Sequence, residues 1–397
     1  MNVRDIAHLV RLRRASGPYG VRRLARAHSI ADLARLAERR LPAGAFGYLE
    51  GGGEDEHTLR RNREALDALE LVPRVLRDVS TVDTSCTVLG TRLLQPFALA
   101  PVGAPQLFHH EGELAVARAA SGSGVPYAVS TLATVALEDI AHATSAPLWF
   151  QLYLWGDRIA AKELLDRAEA AGYRALLVTV DCTVRSKRER ELRAGIILPS
   201  PHLTVRTLAE AALHPSWWSR FLTSGAITFP NLKGAKEGLD IAALFDGSAT
   251  WDDLDWIRSA WDGPIALKGI LSTEDARHGA DLGVDAVVVS NHGGRQLDHT
   301  PATIDVLPAI AQAVGDRVEV LMDSGIRRGT DIVTALALGA RAVLVGRAYL
   351  YGLAAAGEAG VRHAVDILAD ELRIAMALTG ARTLADLDGG IVRRRVG

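Results

Sequence analysis

Eight short apolar runs, each followed by a stretch of helical periodicity, limit what this chain can fold into more than any other feature. They are Phe97 to Val102, Tyr127 to Ser130, Leu148 to Tyr153, Ala175 to Val180, Pro264 to Lys268, Ala286 to Ser290, Val318 to Met322 and Ala342 to Val345. Amphipathic segments such as Ala160 to Ala171 and Asp331 to Leu338 lie between them. Parallel strands covered on both faces read as continuous apolar runs, and eight β/α units close into a barrel with its chemistry at the C-terminal rim. The expected fold is therefore α/β, a (β/α)8 TIM barrel. An open doubly wound sheet would want G-x-G-x-x-G after its first strand, where this chain reads Pro101-Val102-Gly103-Ala104-Pro105.

The 397 residues are expected to hold one barrel domain, 29–387, with additions. Residues 1–28 carry seven arginines against one acid, Asp5, and read as a solvated, partly helical extension. A helical segment follows, N-capped by Ser29, with Leu33, Leu36, Ala37 and Leu41 on one face and Pro42 as its stop. Residues 388–397 read as a C-terminal tail. The connection from Val180 to Pro264 is far longer than one helix and its loops require, so residues 199–250 are expected to form a lid over the barrel mouth. Within it, Trp217 and Trp218 either pack the lid down or meet a membrane interface, and 199–230 is the candidate for peripheral contact.

Net charge of −2 excludes a general nucleic-acid binder. Two cysteines, Cys86 and Cys182, stand far apart without histidines at metal spacing, so neither a disulfide framework nor a zinc site is expected, and a reducing cytoplasm fits. His109-His110-Glu111 is discounted as a metal site because adjacent loop side chains rarely converge on one ion. No apolar run reaches the ~18 residues of a membrane span.

Ser290-Asn291-His292-Gly293-Gly294-Arg295 falls just past the sixth expected strand. His292 can take a proton near neutral pH, and Arg295 can hold a carboxylate by a bidentate fork. Alone such a motif usually marks a polar surface loop. The seventh and eighth strands run into Asp323-Ser324-Gly325-Ile326-Arg327-Arg328 and Gly346-Arg347, loops that in this architecture hold phosphate. Lys268, ending the fifth strand, either offsets charge on a ring nitrogen or pairs with an acid such as Asp323. Ser130, Gln151, Tyr153 and Thr179 end three further strands as a polar collar suited to a flat heteroaromatic ring. Asp181 can orient His292. Arg188 is a second clamp or a solvated arginine in Arg185-Ser186-Lys187-Arg188-Glu189-Arg190. Tyr48, beside the Gly-rich turn Gly51 to Gly53, reads as a phenolic donor or a packing residue.

Taken together, these residues resemble the FMN-dependent 2-hydroxy acid dehydrogenase and oxidase family from about Ser29 to Leu387. The resemblance implies FMN as cofactor and a small 2-hydroxy acid as substrate. It assigns His292 as base with Asp181 as partner, and Tyr48, Tyr153, Arg188 and Arg295 to the substrate. Ser130, Gln151, Thr179, Ser290 and Lys268 would contact the flavin ring, with Pro101, Val102 and Gly103 against it. Asp323, Gly325, Arg327, Gly346 and Arg347 would hold the ribityl chain and phosphate. It implies hydride-equivalent transfer to flavin N5, Lys268 stabilising the reduced ring, and electrons passing to a quinone, a cytochrome or oxygen. Leu132 stands where members acting on glycolate carry Trp, which implies a larger pocket, and Gly103 replaces an Ala. His214 to Phe221 and Trp251 to Gly269 look closest to the family's respiratory L-lactate dehydrogenases. The expected activity is therefore oxidation of L-lactate or a bulkier L-2-hydroxy acid by a homotetramer, cytoplasmic or peripheral at the inner face of the membrane. An oxidase or lactate monooxygenase is the near alternative. A mycofactocin-precursor flavoenzyme or a non-redox phosphate-binding barrel lies further off.

Overall fold

The computed structural model describes residues 24–154, 156–195, 210, 212–215, 217–218, 227–232 and 245–395. Its centre is a closed barrel of eight parallel strands. They are β1 (Phe97–Leu99), β2 (Tyr127–Ser130), β3 (Leu148–Tyr153), β4 (Ala175–Thr179), β5 (Ile265–Ile270), β6 (Ala286–Val289), β7 (Glu319–Met322) and β8 (Ala342–Val345). Each pairs with its neighbours in sequence and β8 closes onto β1, so all eight expected strands are present in the expected order. The (β/α)8 expectation holds because each run is apolar on both faces: one face meets helices and the other meets the barrel interior.

That interior is packed, not hollow. Ala98, Ala128, Trp149, Leu177, Ala266, Val288, Leu321 and Leu344, one from each strand, form a single buried cluster. A hairpin of Cys86–Val88 and Thr91–Leu93 adds Val88, Leu89 and Leu93 to it. The Leu89 amide donates to Glu319 Oε2 (2.8 Å) at the start of β7, so the hairpin plugs the N-terminal end and leaves the opposite rim for chemistry.

Three helices precede the barrel: α1 (Ile30–Arg40), α2 (Ala43–Glu50) and α3 (His57–Asp67). Ser29 caps α1 as expected, its Oγ accepting from the Asp32 amide (3.2 Å). Four helices past β4 matter for the site: α4 (Glu189–Ala194), α5 (Gly329–Ala337), α6 (Arg347–Ala356) and α7 (Glu358–Leu378).

Two boundaries move. The solvated N-terminal extension expected through residue 28 ends sooner, because Leu24 (6% exposed) and Ala27 (2%) are buried in the main core. Residues 1–23 lie outside the described residues. The expected tail from 388 folds back: Ile391 is buried, and Val392–Arg394 pairs antiparallel with Leu69–Leu71. An apolar residue next to an unpaired strand edge suffices to recruit the segment.

Most of the expected lid, 199–250, lies outside the described residues. Two of its described residues are tied to the barrel side. Trp217 donates its indole N–H to the Leu107 carbonyl (3.0 Å), and Asn231, 2% exposed, accepts from Leu137 N (3.1 Å) and donates to the Val135 carbonyl (3.0 Å).

Candidate active site

At the C-terminal rim the loop after β6 carries His292 in the left-handed region (φ 56°), followed by Gly293 (69°) and Gly294 (74°). A non-glycine residue held there costs energy that its surroundings must supply. They do so on three sides. Asn291 exchanges side-chain amide hydrogen bonds with Asn62 of α3 (2.9 and 2.7 Å), and the His292 amide donates to Ser290 Oγ (3.1 Å). Gly294 lies so close to α3 that a Cβ would sit 2.5 Å from Leu59 N, which excludes any side chain. Asp298 fixes the same helix by accepting from the His57 and Thr58 amides (3.1 and 2.7 Å).

The imidazole Nδ1 of His292 lies 3.2 Å from Asp181 Oδ1, beyond the end of β4. Asp181 reaches it because the β5 strand bulges at Gly269 (φ 117°), where a Cβ would clash with Asp181 Cβ at 2.6 Å. Burial pushes the His292 pKa below its ordinary value despite the Asp181 carboxylate. Burial raises Asp181, but its interactions with His292 and Lys268 outweigh it and hold the carboxyl below the usual range. The pair therefore rests as a neutral imidazole on an ionised carboxylate, with Nδ1–H donated and Nε2 left as a lone pair.

His292 lines a cavity that encloses about 1240 Å³ of space, part of it open to solvent. Six cationic side chains line it, Arg185, Arg188, Lys268, Arg295, Arg327 and Arg347, against the carboxylates of Glu191 and Asp323. Such an excess of positive charge selects an anionic ligand. At one end Arg295 donates through Nη1 to the Tyr48 and Gly51 carbonyls (2.8 and 2.9 Å) and through Nη2 to Glu191 (2.6 Å). Those three bonds leave two of its five donors, Nε and one on Nη2, for a ligand. Arg188 lies on the other side of Glu191, 3.8 Å away. Tyr48 and Tyr153 line the same end, and burial raises both phenols, so both stay protonated donors.

Two further arginines of the wall, one of which shares the Gly51 carbonyl with Arg295, suit a phosphate. Arg327 bonds to Tyr351 Oη (3.2 Å), and Arg347 donates to the Leu49, Gly293 and Gly51 carbonyls (3.0, 2.9 and 2.9 Å). Neither has a carboxylate partner within salt-bridge distance among the described residues. Burial lowers the Arg347 pKa to about 10, which keeps it charged at neutral pH. Gly346 and Arg347 open α6 into the cavity, whereas the Arg327 and Arg328 amides at the start of α5 are taken by Asp331 (2.8 and 2.9 Å). Lys268, also on the wall, pairs with Asp323 (3.0 Å) and donates to Ser290 Oγ (2.9 Å). Burial pulls its pKa down, but Asp323 and Asp181 prevail and the ammonium persists. Pro101, Val102, Gly103 and Gly325 complete this wall. Lined this way, the cavity fits a molecule with a flat ring and a phosphate tail, as FMN has.

Not every expected contact reaches the wall. Ser130, Gln151 and Thr179, read as a collar facing the ring, instead bond to one another: Ser130 Oγ to Gln151 Oε1 and Gln151 Nε2 to Thr179 Oγ1, both 2.9 Å. They and Ser290 are at most 2% exposed and do not line the cavity. Leu132 does line it, with Phe229 and Phe245 nearby. A Cβ on Gly103 would lie 3.1 Å from Leu132 Cβ, so these two positions share one wall. The sequence reading missed Glu191, which is 1% exposed, and Gln296, whose Oε1 accepts from Arg188 (3.1 Å). The i, i+3 spacing of Arg188 and Glu191 was the available signal.

The family model described as FMN-dependent dehydrogenase matches residues 37–394. An L-lactate dehydrogenase of Caulobacter vibrioides is 46% identical over 377 residues, covering 93% of this chain and 98% of its own length. Among solved structures, the monotopic membrane protein (S)-mandelate dehydrogenase superposes with a TM-score of 0.88 at 36% identity, over 93% of this chain and all of its own. A mandelate oxidase bound to benzoyl-formic acid does so at 0.81 and 41%, over 94% of this chain and 99% of its own. A cavity whose arginines can hold a carboxylate and a phosphate, on a barrel these proteins share almost end to end, leaves one assignment: this chain belongs to the FMN-dependent dehydrogenase family.

Proposed function

We propose that the protein oxidises L-lactate, or an L-2-hydroxy acid with a somewhat larger side chain, to the 2-oxo acid. The observation that carries this reading is a half-buried neutral imidazole, its Nδ1 3.2 Å from Asp181, in the same wall as Arg188 and Arg295. The free donors of Arg295 and the guanidinium of Arg188 hold the substrate carboxylate; Glu191 offsets one of the two charges and leaves one for the acid. Tyr48 and Tyr153 donate to the carboxylate or the hydroxyl. His292 Nε2 accepts a proton from the substrate while Asp181 fixes the tautomer and stabilises the imidazolium that forms. FMN, held by Arg327, Arg347 and the wall from Pro101 to Gly103, would accept the two electrons that leave the substrate carbon. Lys268, kept charged by Asp323, would offset negative charge developing on a bound ring.

Leu132, Phe229 and Phe245 give the substrate's side chain an apolar end, which favours lactate and larger acids over glycolate. The test is anaerobic bleaching of the yellow protein by glycolate, L-lactate, longer L-2-hydroxy acids and (S)-mandelate. L-lactate or a larger acid is expected to bleach fastest. Leu132→Trp fills the apolar end and shifts the preference toward glycolate; an unchanged order of rates in that variant would remove Leu132 from the substrate pocket.

Burial depresses the His292 pKa, so the base stays neutral to lower pH than a free imidazole would. The acidic limb of kcat/KM is therefore expected below the ordinary histidine value of about 6.5. A limb at or above that value would mean that Asp181 outweighs burial.

Electrons pass in this reading to a quinone or cytochrome and not to oxygen, which the relatives named L-lactate dehydrogenase support, and fast dye reduction without peroxide release is the expected result. Association as a tetramer and peripherally with the inner face of the membrane completes the reading. The second is supported by the monotopic neighbour, and no helix among the described residues is long and apolar enough to cross a membrane.

A further inference from the structure

Cys182 follows Asp181 in the loop after β4 and is buried, 7% exposed. Its Sγ lies 3.3 Å from Asp181 Oδ1 and 3.6 Å from His292 Nδ1, and Nδ1 and Oδ1 are 3.2 Å apart. Tetrahedral zinc, with bonds of about 2.3 Å to sulfur and about 2.0–2.1 Å to nitrogen and oxygen, separates its ligand atoms by about 3.3–3.6 Å. The three atoms are thus already spaced as one face of a tetrahedron. A second observation points the same way: Asp181 Oδ2 is buried with no hydrogen-bond partner.

We propose that Cys182, His292 and Asp181 form a binding site for a thiophilic divalent cation, of the zinc or cadmium class, that switches the enzyme off. Sequence spacing hides it, because the ligands come from the ends of two different strands.

One ligand of the site faces a second opening. Cys182 lines a cavity of about 830 Å³, partly open to solvent, that shares no lining residue with the first. Asp246 and Asp275 stand on its walls, and an acidic vestibule draws cations. The nearest opposing charge, Lys268, is already offset by Asp323 (3.0 Å). Burial and the neighbouring Asp181 raise the Cys182 thiol well above its usual pKa, so it is no ready nucleophile for oxidants, and a metal must displace its proton.

The protons balance as follows. The incoming ion bonds Sγ, Nδ1 and a carboxylate oxygen, and the thiol proton leaves to solvent. The proton on Nδ1 moves to Nε2, the atom that must accept one from the substrate. Blocking therefore needs no steric plug in the substrate cavity: the imidazole is locked in the wrong tautomer. This consequence, though not the binding itself, rests on His292 being the base.

Cadmium chloride titrated into the flavin-loaded full-length enzyme tests both. The ultraviolet cadmium–thiolate charge-transfer band is expected to saturate at one equivalent in the wild type and in Cys86→Ser, and to be absent in Cys182→Ser and Cys182→Ala. Even partners outside the first coordination sphere are worth about 10–100-fold in metal affinity, so His292→Asn should weaken binding by more than about tenfold. Whatever turnover Cys182→Ser retains should withstand cadmium that halts the wild type, which a chelator restores. A band that survives in both Cys182 variants, or none in the wild type, overturns the site. A saturating band with undiminished turnover keeps the site and removes His292 as the base.

Discussion

Asparagine in place of His292 leaves the protein yellow and lowers turnover of its 2-hydroxy acid by about 100- to 10,000-fold, the range that a positioned general base contributes. Asparagine is chosen over alanine because the position is left-handed, φ 56°, where asparagine is among the few side chains that sit without undue strain. Its amide can keep a hydrogen bond to Asp181 but cannot take a proton at neutral pH. The flavin contacts named above do not run through this side chain, so visible absorbance should persist. Stopped-flow bleaching under nitrogen measures the loss directly. A rate within about tenfold of the wild type would assign proton acceptance to another group or to solvent.

Methionine in place of Arg295 should destabilise the fold as well as abolish substrate binding. Arg295 Nη2 lies 2.6 Å from Glu191, a carboxylate only 1% exposed whose second oxygen has no hydrogen-bond partner. Breaking such a buried pair from one side strands the other charge and costs about 3–5 kcal/mol. Arg188 and Arg185, at 3.8 and 3.9 Å, recover part of that and make the lower figure the better expectation. Adding Glu191→Gln to the same chain neutralises the stranded group and should restore most of the stability without restoring catalysis. Urea unfolding of wild type, single and double variants reads the stability, and saturation kinetics read the KM. Equal midpoints for the single and double variants would show that Glu191 is not balanced by Arg295.

The residues whose positions could be foreseen are those whose burial and spacing repeat. Apolar runs located the eight strands, and these with the loops beyond them delivered His292, Arg295, Lys268, Asp323, Arg327 and Arg347 to one cavity. Where the signal was local composition, the reading went astray. Glu191 lies in a run crowded with arginines, which by composition looks like a solvated face, yet α4 turns that acid inward beneath two guanidiniums. Ser130, Gln151 and Thr179 stand at strand ends as expected, but a strand's end does not say whether a polar side chain finds a ligand or its neighbour on the adjacent strand. Leu24 and Ala27 were lost among arginines, too short a pattern to register as a packing face.

The contact between Gly103 and Leu132 carries a consequence for anyone redesigning this enzyme. With the two Cβ positions 3.1 Å apart, a methyl group added at residue 103 can be seated only if residue 132 yields, and a bulkier residue at 132 forecloses the methyl. Libraries that vary these codons separately should find each pair of changes strongly non-additive. The wall beside the cofactor and the choice of acid would then have to be bred together.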